Sequence, residues 1–403
     1  MTTWTPDSSG DPLRSLLRAS HHLPAHRLGT VVAEHARELG ARDAVVYLAD
    51  YEQHHLMPVR GDGVPDREPL PVDSSVGGLA FRRVEVTRPP RPDAGDSRLW
   101  VPLLDGAERA GVLEVVYDHE PTDSDEELAR SFASLVAELT VTRDAYSDVF
   151  SRLRRSRPMS VAAEIQWELL PPLTFGSERI VISAALEPSY EIGGDTFDYA
   201  VNGSTAELLV LDAVGHGLPA ALLATAAVGA YRNGRREGLD LAGMSALMNQ
   251  VIADQFPASR FATALLARLD LDTGRLTWVN AGHPAPLIVR DIGLLLPHTC
   301  PSSRPLGLQD RPAVECHLQL QPGDRVLLYT DGIVEARSPA GEFFGEERLA
   351  DFVVRAEAAG HPPPEMLRRL MRSVMDHQAG RLQDDASIVV VEWRTGRDDQ
   401  LIL

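Results

Sequence analysis

The sequence predicts an α+β protein of two domains, and three observations carry that prediction. At 403 residues the chain is too long for one ordinary core. Short runs rich in valine and leucine alternate with longer stretches of helical periodicity in both halves. Between the halves, over residues 124–170, lies a helical stretch that stops at Pro171-Pro172, beyond which the texture changes. Residues 1–12 read as a loose polar tail, 13–123 as the first domain, 124–170 as a helical linker and 171–396 as the second domain.

Composition narrows the function. Hydrophobic residues make up 44 % and charged residues 24 %, ordinary for a soluble globular chain. A formal charge of −19 argues against a nucleic-acid or anionic-membrane target. All 39 basic residues are arginine. With no lysine, Walker A, protein-kinase and Schiff-base chemistry are excluded. Cys300 and Cys316 could pair, but two thiols in so long a chain suit idle cysteines in a reducing compartment. The N-terminus has no apolar signal core, and Leu218–Ala230 is too short to span a bilayer. A cytoplasmic, soluble protein is the expectation.

In the first domain, apolar positions from 13 to 40 suit two helices broken at Pro24. Ala44–Leu48, Trp100–Leu104 and Gly111–Tyr117 read as strands, the last two around a polar turn at 105–109. With Ser75-Val76-Gly77-Gly78-Leu79-Ala80, the Trp100–Leu104 strand and Gly111-Val112-Leu113 leading towards a helix, this module resembles a GAF sensory domain. The resemblance implies a small effector, although no ligand signature stands out. A packing or dimerising module without a ligand is the other reading.

Ser124-Asp125-Glu126-Glu127 reads as a capping box opening the linker helix. Leu128, Phe132, Leu135, Leu139, Thr142, Tyr146, Val149 and Leu153 then recur at alternating spacings of four and three. That heptad predicts a helix paired with a copy of itself, hence a homodimer. The alternative is one amphipathic helix lying on its own domain. The arginines at 152, 154, 155 and 157 read as a solvated linker.

The second domain carries the chemistry. Four acidic places follow apolar runs and sit among glycines or small residues: Gly193-Gly194-Asp195, Asp212-Ala213-Val214-Gly215-His216-Gly217, Thr330-Asp331-Gly332 and Asp384-Asp385-Ala386. With strands ending in Asp195, Asp212 and Asp331 and the pair Asp384-Asp385 entering the last strand, these carboxylates could all converge on one rim of a sheet. Gathered carboxylates repel one another unless they share protons or hold a cation, and Mg²⁺ and Mn²⁺ favour such oxygen ligands. Two ions could direct an activated water at phosphorus without a nucleophilic side chain.

These blocks resemble the catalytic domain of SpoIIE-type phosphatases, the bacterial branch of the metal-dependent type 2C protein phosphatases. The matching residues are Ala163-Glu164-Ile165-Gln166 with Leu169-Leu170-Pro171, Ile192-Gly193-Gly194-Asp195 with Phe197 and Asp198, Asp212 with Gly215-His216-Gly217, Asn280-Ala281-Gly282-His283-Pro284, Tyr329–Ala336 and Asp384–Ser387. The resemblance implies an αββα sandwich with two Mn²⁺ or Mg²⁺ ions that hydrolyses phosphoserine or phosphothreonine. Its implied partner is a phosphorylated anti-anti-sigma protein.

Carried over, Asp195, Asp212, the Ala213 carbonyl, Asp331 and Asp384 would hold metal, with Asp384 and Asp385 not separable. Asp198 would be an outer ligand or a neighbour of one. His216 is a candidate general acid or a loop-shaping residue, and Asn280 and His283 read as structural. Thr196 and Ala213-Val214 depart from the family pattern without removing a carboxylate. Gly193-Gly194-Asp195-Thr196-Phe197 also resembles the hairpin of diguanylate cyclases, which leaves Asp331 and Asp384 unexplained. A catalytically inactive phosphatase fold used for binding is the third reading.

Overall fold

A computed structural model describes residues 12–89, 97–191, 193–291, 293–295, 300–380, 382–396 and 398–402. The expected tail lies outside them apart from Pro12, as does Ile192 of the glycine-flanked motif. The chain divides into two compact units, Met1–Ser156 with Gln400–Leu403, and Arg157–Asp399.

In the first unit, helices α1 (Pro12–Ser20) and α2 (Leu28–Glu38) flank Pro24 as expected. Strands β1 (Asp43–Ala49), β2 (His55–Pro58) and β3 (Leu70–Pro71) lead to helix α3 (Val76–Arg83). Strands β4 (Ser97–Asp105) and β5 (Glu108–Tyr117) complete an antiparallel sheet of order β3-β2-β1-β5-β4. One face packs Val46 and Leu113 against Leu28 and Val32. The other buries Tyr47, Phe81, Trp100 and Val112 under α3.

Helix α4 (Asp123–Asp144) begins two residues before the position expected. Its N-cap is Thr122, whose hydroxyl accepts from the Asp125 N–H, while Asp125 accepts from the Thr122 N–H. Two overlapping Ser/Thr-x-x-acid patterns compete here, and the first one closes the box.

The continuous heptad helix is also corrected. Helix α4 stops at Asp144, and a separate α5 covers Val149–Arg154. Phe132, Ala133, Val136, Ala137 and Leu139 are buried in the unit's own core. Burying a Phe or Leu side chain contributes about 2 kcal/mol, so those positions are already used. The helical stretch is moreover divided between the units, α4 and α5 in the first and α6 (Val161–Leu169) in the second.

In the second unit, β6 (Thr174–Ser177), β7 (Ile180–Glu187), β8 (Asp195–Asn202) and β9 (Thr205–Ala213) precede helices α7 (Leu218–Arg236) and α8 (Leu241–Gln255). Strands β10 (Ala262–Asp270), β11 (Arg275–Ala281), β12 (Leu287–Arg290), β13 (Gly293–Leu295), β14 (Glu315–Gln319) and β15 (Arg325–Tyr329) follow. The short α9 (Asp331–Val334), then α10 (Glu346–Ala358), α11 (Pro363–His377) and β16 (Ala386–Trp393) close it.

The strands form two antiparallel sheets, β14-β11-β10-β9-β8 and β13-β12-β15-β16-β7-β6. Side-chain alternation sorts them into layers. Leu208 and Val210 with Leu265 and Ala267 face Ile182, Val389 and Val391 between the sheets. Leu209, Leu211 and Leu266 turn outward to α7 and α8. Leu327, Tyr329 and Val390 turn outward to α10 and α11. The unit is thus an αββα sandwich. Cys300 and Cys316, expected as idle thiols, are joined in a disulfide with Cα atoms 5.9 Å apart. Among the described residues no helix is long and apolar enough to cross a membrane.

Candidate metal centre

Four chain segments from both sheets meet at one rim. Strand β8 pairs with β9 so that Asp195 stands directly opposite Asp212. Two like charges at facing positions are destabilising unless something between them compensates. Asp195 begins its strand and does not end one, the reverse of expectation, whereas Asp212 lies near the end of β9. Asp331 starts α9 immediately after β15, and Asp384-Asp385 lie just before β16. Those last two strands are neighbours in the other sheet.

Thr330 stitches the rim together. Its hydroxyl donates to Asp195 Oδ2 at 2.6 Å and accepts from the Ser387 N–H at 2.9 Å. One hydroxyl therefore links a carboxylate on the first sheet to the edge of the second. From α6, the buried Gln166 Nε2 donates to the Asp195 carbonyl at 3.1 Å. A Cβ on Gly194 would lie 2.4 Å from the Ala213 carbonyl oxygen, so only glycine lets the Asp195 loop come this close. Neither Thr330 nor Gln166 carries a charge, and neither role was legible in the sequence.

The electrostatics bind the aspartates into one group. Burial, then the Asp212 charge, push Asp195 well above the usual carboxylate range. Burial, then Asp331, Asp384 and Asp385, push Asp212 up to about 7. Asp331 is raised by burial and then by Asp384 and Glu335. No guanidinium opposes these shifts at Asp212. Five aspartates, with Glu335 beside Asp331, therefore feel one another without a guanidinium among them.

Asp384 and Asp385, alike in sequence, separate in the structure. Asp385 Oδ2 accepts from the Gly193 and Gly194 N–H groups at 2.6 and 2.7 Å. Its carboxylate clamps the glycine loop, although burial still raises its proton affinity. The Asp384 carboxylate accepts from the Asp385 N–H and acts electrostatically on Asp212 and Asp331.

Asp198 stands apart from the rim. It is buried and held by Arg232 at 2.7 Å and Arg235 at 2.9 Å, both on α7. It is a structural anchor, since its alternation places it off the carboxylate edge and two guanidiniums satisfy it. Arg232 also donates to the Leu169 carbonyl at the end of α6. His216 is exposed on the loop before α7, where its Cα would lie 2.9 Å from a Cβ on Gly193.

His283 is buried, and burial lowers its pKa to about 4, so the imidazole is neutral. Its Nε2 lies 3.0 Å from the Tyr329 carbonyl, which can only accept; Nδ1 therefore accepts from Thr263 Oγ1 at 2.8 Å. Asn280 brackets this residue through the His283 N–H and C=O. Both residues shape the backbone leading to Asp331.

Among the described residues, no three or more His, Cys, Asp or Glu side chains stand together in an arrangement that could hold a metal ion as they are placed. The chemistry of the donors still fits a hard divalent cation. They are all oxygen, Asp195, Asp212 and Asp331 are partly or wholly buried, and burial with mutual repulsion raises those three, an effect that a cation would reverse. The glycine pair does not lie in a hairpin, since β7 and β8 belong to different sheets. That removes the structural basis of the cyclase reading.

The model of the family described as "Stage II sporulation protein E (SpoIIE)" matches residues 202–394. The chain is similar to the phosphoserine phosphatase RsbU of Bacillus subtilis, 24 % identical over 234 residues, covering 58 % of this chain and 69 % of the relative. It is also similar to the phosphoserine phosphatase RsbP of Bacillus subtilis, 25 % identical over 254 residues, covering 60 % and 59 %. Among solved structures it is similar to the SiaA PP2C domain of Pseudomonas aeruginosa, 22 % identical, covering 58 % and 94 %, with a TM-score of 0.47. The similarity to the curated relatives thus covers a little over half of this chain. The match to the SpoIIE family model lies within the C-terminal unit of this chain.

Proposed function

We propose that the protein is a metal-dependent phosphoserine/phosphothreonine protein phosphatase whose C-terminal unit hydrolyses a phosphorylated regulator of the anti-anti-sigma type. The observation that carries this reading is the facing pair Asp195–Asp212, joined at one rim by Asp331 and Asp384. Asp195, Asp212, the Ala213 carbonyl, Asp331 and Asp384 would hold two Mn²⁺ or Mg²⁺ ions. When bound, such ions supply an activated water and screen charge on the phosphoryl group.

The chain's own residues do the positioning. Asp385 fixes the glycine loop, Thr330 orients Asp195, and His216 at the exposed rim donates a proton to the departing serine oxygen. RsbU and RsbP are named phosphoserine phosphatases, which supports the reaction class.

The proposal extends to regulation. The first unit would act as a GAF-like sensor, signalling through residues 140–170. The bond from Gln166 on α6 to the Asp195 carbonyl supports this route, because any shift of α6 moves a candidate ligand. A homodimer would use the exposed flank at Val141, Thr142 and Tyr146, since Phe132 and Leu139 are spent inside the unit. The cytoplasmic setting rests on the substrate class, and a free-thiol count on protein purified without oxygen tests it against the disulfide.

The enzymatic test is phosphate release from a phosphoserine protein with Mn²⁺ and with chelator. Turnover only with metal is expected. Turnover that survives chelation, or a cyclic dinucleotide formed from GTP, contradicts the proposal. Absence of any turnover would favour the inactive binding module.

A further inference from the structure

We infer that Arg260 is the residue that receives the substrate phosphoryl group at this rim. The inference rests on the phosphatase reading and adds to it a group that directly touches substrate. Beyond the metal ions, a side-chain cation that the carboxylates do not neutralise would add directly to phosphate binding, because the incoming phosphate is itself anionic. The chain has no lysine, so an arginine must serve for any side-chain cation of fixed charge.

Arg260 meets the requirements of place and of free valence. It precedes β10, the strand that pairs Thr263 with Asp212 and Ala262 with Ala213. Its Nη1 donates to the Val214 carbonyl at 3.2 Å, one residue beyond Ala213. Gly215 lies at φ +94, and a Cβ there would stand 2.6 Å from Nη1. Glycine at 215 thus lets the guanidinium pack onto the loop that carries His216. That loop in turn touches the Gly193 segment, which Asp385 clamps.

Among the described residues, the Val214 carbonyl is the one hydrogen-bond partner of this guanidinium, and it has no carboxylate partner. The other arginines at functional seams of the unit are committed: Arg232 and Arg235 to Asp198, Arg268 to Glu207, Arg290 to Asp324. Arg260 is only half-buried, and it is not among the charges acting on Asp212. Its remaining N–H donors match a tetrahedral oxyanion with two adjacent oxygens, the bidentate geometry that distinguishes guanidinium from ammonium. The ligand it takes is a phosphate monoester before hydrolysis and inorganic phosphate after it.

The test uses the full-length protein saturated with Mn²⁺ and inorganic phosphate as the probe. Calorimetry should show phosphate affinity falling roughly tenfold to a hundredfold in Arg260→Ala, with partial recovery in Arg260→Lys. The same variants should raise KM and the phosphate inhibition constant together, while the Mn²⁺ concentration for half-activation and the thermal midpoint without phosphate stay put. Unchanged phosphate affinity in Arg260→Ala, in a protein with a wild-type thermal midpoint, overturns the inference. If wild type shows no metal-dependent turnover, the phosphatase reading fails, and calorimetric phosphate binding still decides Arg260 by itself.

Discussion

At the scale of single residues, the rim trades stability for function. Asp212 is pushed up to about 7 by burial and by Asp331, Asp384 and Asp385. Replacing it with the isosteric amide removes that repulsion. Asp212→Asn should therefore raise the thermal midpoint of the metal-free protein by a few degrees while weakening the stabilisation that Mn²⁺ confers on wild type. Differential scanning calorimetry with chelator and with Mn²⁺ checks both signs; a lower midpoint in chelator would contradict the account.

Asp384 and Asp385 should behave differently when each is changed to alanine. Asp385→Ala leaves the Gly193 and Gly194 amides without their acceptor and should cost about 2–3 kcal/mol in denaturant unfolding. Asp384→Ala should cost little stability and most of the activity. Equal stability losses would mean the two roles are not divided as described.

His283 gives a pH dependence with a definite sign. Its pKa falls from 6.5 in the unfolded chain to about 4 when folded. Above pH 6.5 both states are neutral and the residue contributes no slope. As pH drops from 6.5 towards 4, only the unfolded chain takes the proton, and stability declines by up to about 3 kcal/mol. The slope of unfolding free energy over this window should flatten in His283→Asn. A variant with the wild-type slope would remove His283 as its source.

At the scale of elements, the sequence was most readable where pattern is local. The helices around Pro24, the strands β1, β4 and β5, and the proline-started α7 follow from periodicity and capping alone. Asp212 and Asp331 were legible because each ends or follows an apolar run, and Asp384 because it stands just before one. Asp195 misled as to direction, since an acid flanked by two glycines and an aromatic can equally begin a strand.

The heptad was real as a pattern, but a stripe of period 3.5 does not say whether the partner is a copy or the chain's own sheet. Asp198 was misplaced because strand alternation, which sends it towards α7, is visible only once β8 is known. The disulfide was undecidable from two cysteines, 16 residues apart, in a loop-rich stretch. Closing a loop of that length stabilises by about 3 kcal/mol. Reduction should thus lower the thermal midpoint by roughly 5 °C or more, and a Cys300→Ser variant should be insensitive to reductant.

At the scale of the molecule, the αββα unit brings carboxylates from four chain segments, 195 to 384, to one rim that no local stretch encodes. This long-range assembly is why Gly193-Gly194-Asp195 alone points to the wrong enzyme and the four places together do not. It would also give the proposed regulation a physical handle. Helix α6 holds the Asp195 carbonyl through Gln166 and its end is held by Arg232 from α7. Gln166→Ala should shift the Mn²⁺ concentration for half-activation upward several-fold with little change in activity at saturating metal. A lower maximal rate at unchanged metal requirement would place Gln166 outside this route.

We propose that these aspartates act together as a metal-dependent hydrolytic centre. It is tested most directly by phosphate release from a phosphoserine protein across a Mn²⁺ titration, comparing wild type with Asp212→Asn. Saturable, metal-dependent turnover is expected in wild type, with at least a hundredfold loss in the variant at every metal concentration. Turnover in Asp212→Asn that matches wild type, or that needs no metal in either protein, would contradict it.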